Sequence, residues 1–136
     1  MACFATAAMA GPPVAALDLT ITGLRSTKGN VLVCLTANPK AFPDCSKDPQ
    51  SRSMTAPASR AALLHFEGVP AGYYAVSLIH DENGNGKLDT RLMIPREGFG
   101  FSRNPAIAFG PPKFASARFE IGTADAAQTV RVRYML

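Results

Sequence analysis

A chain of 136 residues with 47% apolar content suits one compact domain around a single core, and this composition excludes a disordered polymer. The formal charge is +4, yet Arg25, Lys28, Arg52, Arg60, Arg103, Arg118, Arg131 and Arg133 stand singly along the chain rather than in a block. That dispersal argues against a nucleic-acid groove and for a solvated surface with a weak general attraction to anionic envelopes.

Residues 1–16, MACFATAAMAGPPVAA, carry no charge and end in small residues suited to a signal-peptidase site after Ala10 or Ala16. They read as a signal-peptide remnant lacking its basic start, with a disordered arm as the other reading, and the single domain is expected over 17–136. Periplasmic or secreted location follows. No later apolar run approaches the roughly 18 residues that span a bilayer, so no transmembrane segment is expected. Loss of the leader removes Cys3 and leaves Cys34 and Cys45. A disulfide between them would close a loop of about a dozen residues and contribute on the order of 3 kcal/mol, while two unpaired thiols remain the alternative.

Residues 17–22 alternate apolar and polar side chains, the period of a half-buried strand, and 30–36 give a second, more apolar strand. The turn between them around Lys28 and Gly29 suggests a hairpin. From 37 to 61 the sequence has no sustained period and reads as a long surface loop. Strands resume at 62–66 and 73–79, joined by the turn Val69-Pro70-Ala71-Gly72, which makes this the clearest hairpin. Residues 91–113 are rich in Gly and Pro and read as loop, with one short extended piece at 106–109. Clean alternation returns at 117–121 and 129–134. About seven short strands and no helix point to an all-β fold, an antiparallel β-sandwich of the Ig-like or prealbumin-like kind with long loops.

Between the strands at 73–79 and the loop at 91–113 lies His80-Asp81-Glu82-Asn83-Gly84-Asn85-Gly86-Lys87-Leu88-Asp89. Calcium takes six to eight oxygen ligands. The side chains of Asp81, Asn83, Asn85 and Asp89 with the Lys87 carbonyl supply most of such a shell, and Gly86 can take the positive φ that the turn needs. The twelfth position of an EF-hand, a bidentate Glu, is Leu92 here, and Glu97 is the substitute if the next loop folds back. Affinity is then expected near 10⁻⁴ to 10⁻³ M, roughly that of extracellular modules. A plain hairpin turn, with Asp and Asn bonding their own backbone, is the competing reading. His80 lacks a partner imidazole nearby and is expected to orient the loop by hydrogen bonds rather than to bind a metal.

Two further readings concern chemistry and recognition. A metal-dependent hydrolase would need His80, Asp81 and Glu97 to converge on an open coordination position beside a cleft. Phe99, Phe101, Ser102 and Arg103, with Phe109 and Phe114, either line a surface for a glycan or peptide or close one end of the sandwich. Ser102 lacks the glycine pattern of a nucleophile elbow.

Four blocks carry a resemblance: Pro70-Ala71-Gly72-Tyr73-Tyr74-Ala75, His80 to Asp89, Ile94-Pro95-Arg96-Glu97-Gly98-Phe99-Gly100-Phe101-Ser102, and Gly110-Pro111-Pro112-Lys113-Phe114. In these the chain, over 17–134, resembles the secreted bacterial proteins of domain of unknown function family 2141, departing at Met93 where the pattern has Gly. The resemblance implies export and a sandwich similar to transthyretin-like or carboxypeptidase-regulatory-like domains, and implies no activity. The resulting expectation is an exported, non-enzymatic, calcium-stabilised module whose loops bind an envelope ligand, protein or glycan. A structural envelope protein without metal is the plainer alternative.

Overall fold

The fold is described by a computed structural model at residues 13–86, 97–107 and 110–135, and for the backbone at 90–91 and 94–95. Its strands, in chain order, are β1 (Val14–Thr22), β2 (Asn30–Thr36), β3 (Arg52–Pro57), β4 (Leu63–Pro70), β5 (Gly72–Asp81), β6 (Thr90–Arg91), β7 (Ile94–Pro95), β8 (Gly98–Phe101), β9 (Phe119–Ile121) and β10 (Ala126–Arg131). A single helical turn, α1 (Phe114–Ala117), precedes β9. One sheet has the order β10-β1-β4; the other runs β3-β2-β5-β8, with β9 also paired to β5. The two pack as an all-β sandwich. No helix among the described residues is long and apolar enough to cross a membrane.

Strand alternation positions the core. In β1, Leu17, Leu19 and Ile21 turn inward and Asp18, Thr20 and Thr22 outward. They meet Val31, Val33 and Leu35 of β2 and Val76 and Leu78 of β5 in one apolar cluster between the sheets. β1 opens at Val14, ahead of Leu17 where the domain was expected to start, and Ala15 and Ala16 are buried. The register against β4 shifts here, and the Ala16 N–H donates instead to Asp125 Oδ1 at 3.0 Å. A cut after Ala10 would keep this strand whole; a cut after Ala16 would remove Val14, Ala15 and Ala16. Residues 1–12 of the expected leader lie outside the described residues.

Both expected hairpins are corrected. β1 pairs with β4 and, in parallel, with β10, whereas β2 pairs with β3 and β5. β4 and β5 likewise lie in different sheets. Alternation fixes which side chains face the core, but it does not say whether a short turn returns the chain within its sheet or carries it across to the other. The parallel β1·β10 pair also departs from a purely antiparallel sandwich.

Two segments read as loop contain strands. β3 sits at a sheet edge with alternating half-buried and exposed residues, so little apolar signal marks it. β8 is hidden by its glycines, which strands ordinarily avoid. Those glycines are required by close approach: a Cβ on Gly98 would fall 2.5 Å from the Tyr134 ring, and one on Gly100 2.6 Å from Val130. The intervening Phe99 and Phe101 point to the opposite face of the sheet, opposite Ile79 and Ser77 of β5. At 106–107 there is no strand, and 108–109 lie outside the described residues.

That opposite face carries a second, smaller apolar cluster of Phe42, Ala75, Phe99, Phe101 and Ala117. Residues 37–51 cover it. Cys34 of β2 and Cys45 stand at disulfide distance with 5.5 Å between Cα atoms. Thr36 Oγ1 donates to Asp48 at 2.7 Å, and Ser77 Oγ donates to the Pro43 carbonyl at 2.7 Å. Phe42 then sets its ring edgewise to Phe101 and Phe114, with centroids 5.9 and 6.0 Å apart.

Candidate functional site

β5 delivers His80 and Asp81 to the end of the sandwich, on opposite faces of the strand. His80 is 0% exposed and both its ring nitrogens are engaged, Nε2 with the Lys28 carbonyl at 2.8 Å and Nδ1 with the Tyr134 hydroxyl at 2.7 Å. A carbonyl only accepts, so Nε2 carries the proton and Nδ1 accepts from Tyr134, a tautomer assigned by its partners. The Tyr134 oxygen in turn accepts the Arg25 N–H at 3.0 Å. His80 thus ties the 23–29 connection and the C-terminal segment to the end of β5 from which the acidic loop departs. It has no nitrogen left for a metal or a substrate.

Asp81, 1% exposed, organises the loop through its carboxylate. Oδ1 accepts the Asn85 N–H at 3.2 Å and Oδ2 the Gly86 N–H at 2.7 Å, while the Asp81 carbonyl accepts Gly84 N–H at 3.3 Å. Gly86 adopts the expected positive φ, +79°. Asn83 Oδ1 also accepts the Asn85 N–H, at 3.2 Å, and both Asn83 and Asn85 are exposed. Lys87 and Asp89 lie outside the described residues, as do Leu92 and Met93. Among the described residues, no group of three or more His, Cys, Asp or Glu side chains is placed to hold an ion.

Glu97 and Asp81 flank one end of the β5·β8 pairing. The last paired position of β5 and β8 sets His80 opposite Gly98, so Asp81 follows and Glu97 precedes the paired residues at the same end of the two strands. Glu97 is 5% exposed, so both carboxyl groups at this end of the two strands are nearly buried.

Next to this pair lies a support that no motif in the sequence announced. Glu82 accepts from Arg25 Nε at 2.8 Å and Ser26 Oγ at 2.9 Å, and the Arg25 guanidinium lies 4.3 Å from the Tyr134 ring centroid. Burial raises the Glu82 carboxyl, but the hydrogen bonds from Arg25 and Ser26 outweigh it and hold the group below its ordinary value. Burial also pushes the Tyr134 phenol up. The signal that could have found this support is Gly29: its φ is +65°, and a Cβ there would lie 2.0 Å from the Asp81 carbonyl oxygen.

Of the residues named for a recognition surface, Phe99, Phe101 and Ser102 are buried and Arg103 alone is exposed. The two rings close the smaller core. Ser102 Oγ donates to the Ala117 carbonyl at 2.5 Å and accepts the Val76 N–H at 2.9 Å, which pins α1 against β5. Phe109 lies outside the described residues. Phe114 instead lines an open groove of about 590 Å³ with Pro39, Phe42, Pro112, Lys113 and Arg118. Sequence reasoning missed Phe42 and Arg118 there, because 37–51 show no periodicity and the two residues are joined only by the fold.

A family model described as an uncharacterized protein conserved in bacteria (DUF2141) matches residues 19–129. Comparison with curated proteins and with solved structures finds no match.

Proposed function

Starting from the chain's membership of the DUF2141 family of uncharacterized bacterial proteins, we propose that it is an exported, non-enzymatic β-sandwich module in which calcium closes the loop that follows β5. The closed loop holds 91–113 in place as part of a recognition surface for an envelope partner. The observation that supports this reading is that Asp81 and Glu97, 1% and 5% exposed, stand at the same end of the β5·β8 pairing, next to its last pair His80 and Gly98. A divalent cation held between two nearly buried carboxylates would offset the cost of keeping both charged. Asp81, Asn83, Asn85, Glu97 and, beyond the described residues, Asp89 with the Lys87 carbonyl would supply oxygen donors of the kind calcium prefers. The engaged nitrogens of His80 favour a binding role over hydrolysis.

A second reading, a metal-free structural turn, draws on the backbone N–H groups that already satisfy Asp81. Calcium-dependent melting separates the two. At calcium about ten times its dissociation constant, mass action adds about 1.4 kcal/mol, a rise in midpoint of about 4–7 °C for a domain of this size. Magnesium, which demands a tighter octahedral shell, should not reproduce it. Asp89→Ala combined with Glu97→Gln should abolish the rise. A midpoint that stays constant through the calcium titration would establish the metal-free turn.

A further inference from the structure

The four arginines from 103 to 133 that stand apart in the sequence are gathered by the fold around one turn. Arg103 and Asn104 both take left-handed backbone, φ 64° and 46°. The Asn104 side chain accepts the Arg131 N–H at 2.8 Å and donates to the Thr129 carbonyl at 3.0 Å, which docks β10 beside the turn. Arg133 reaches the Asn104 carbonyl at 3.4 Å, and Arg103 the Arg118 carbonyl at 3.5 Å. Arg118 stands over the exposed Tyr73 ring at 5.0 Å and also lines the groove formed by Pro39, Phe42, Pro112, Lys113 and Phe114. Among the described residues no carboxylate lies within ion-pair distance of Lys113 or of these four arginines; the ion pairs present involve Arg25 with Glu82 and His65 with Asp18 and Glu67. The apolar groove is therefore edged by Lys113 and Arg118, which have no carboxylate partner among the described residues.

We propose that this groove binds an extended acidic peptide. An apolar side chain of the peptide enters between Pro39, Phe42 and Phe114, and flanking carboxylates meet Lys113 and Arg118. Three features select this occupant. The charge calls for an anion. The concavity, floored by the nearly buried Phe42, does not suit a flat lipid surface, which would need projecting apolar side chains. The Phe42 and Phe114 rings stand 80° apart and so offer no shared flat face for a sugar ring to stack on. This assignment rests on the recognition-module reading above and not on its calcium.

The test uses the full chain with its cysteines oxidised and a labelled peptide of glutamates flanking one phenylalanine, followed by fluorescence anisotropy at low and high salt. Binding should weaken as salt rises and should be lost when lysines replace the glutamates. Lys113→Glu with Arg118→Glu should weaken it about tenfold or more, since two attractive rim charges become repulsive. The milder pair of Lys113→Gln with Arg118→Gln, should the first fold poorly, should lie between. Equal affinity for the lysine peptide, undiminished binding by either double variant, or no binding at millimolar peptide overturns the proposal. So does preferential binding of a polyuronate or of phosphatidylglycerol vesicles over the peptide. A protein that melts later with calcium yet ignores the peptide retains the module reading and loses this one.

Discussion

Single residues at the loop base are held together by shape and hydrogen bonding. His80 and Asp81 are adjacent, yet strand alternation sends one inward to Tyr134 and Lys28 and the other toward its own turn. The motif spacing in the sequence conveyed the Asp81 turn, because an Asx turn is a local device spanning a few residues. It could not convey Tyr134, which lies 54 positions from His80. Gly29 is the most sensitive position in this network. Alanine there would force a left-handed φ and place its Cβ 2.0 Å from the Asp81 carbonyl oxygen, so either the 23–29 connection or the end of β5 must move. We expect Gly29→Ala to lower stability by about 2 kcal/mol or more, read as a lower urea midpoint with an unchanged slope. An unaltered midpoint would show that the connection is not held against Asp81.

At the scale of elements, the strands were legible where one face is buried and obscure where it is not. β1, β5, β9 and β10 announce themselves by alternation; edge strand β3 and the glycine-spaced β8 do not. Pairing adds a property no single strand has. Across β1 and β4, Asp18 stands opposite His65, whose Nδ1 bonds Asp18 and whose Nε2 bonds Glu67, each at 2.5 Å. The hydrogen bonds to Asp18 and then Glu67 raise the imidazole from 6.5 to about 8. Folding therefore favours the protonated ring. The resulting stability is complete below about pH 6.5 and fades as pH climbs through about 8, the folded-state value. Because the cluster is exposed, screening keeps the effect small. An NMR titration should place His65 near 8, and His65→Gln should flatten the fall in melting midpoint across that window. A ring titrating near 6.5 would mean the β1·β4 cluster does not form in solution.

The whole molecule is a sandwich with an added cover on one outer face. The main core lies between the sheets, and 37–51 with α1 seal the smaller cluster around Phe42 and Phe101. Cys34 and Cys45, 11 positions apart, fasten that cover to β2. Replacing both by serine should cost about 3 kcal/mol by the chain-entropy relation. The loss should be local, with amide exchange quickening in 37–51 and around Phe101 while the β1, β2 and β5 core stays protected. Equal loosening of both clusters would show that the cover and the sandwich unfold as one unit.

The sequence by itself determined the all-β class, the inward faces of the main strands, the cysteine pair and the oxygen-rich turn after β5. Each is written in a period or spacing of a few residues, and the backbone converts such patterns directly into local geometry. Only the tertiary structure decided that the two apparent hairpins cross between sheets, that Phe99 and Phe101 close a second core, and that Lys113 and Arg118 edge an aromatic groove with Phe42. Those outcomes depend on contacts between residues tens of positions apart, where the choice among sheets is made by packing the whole core at once and leaves no mark on any short stretch of chain.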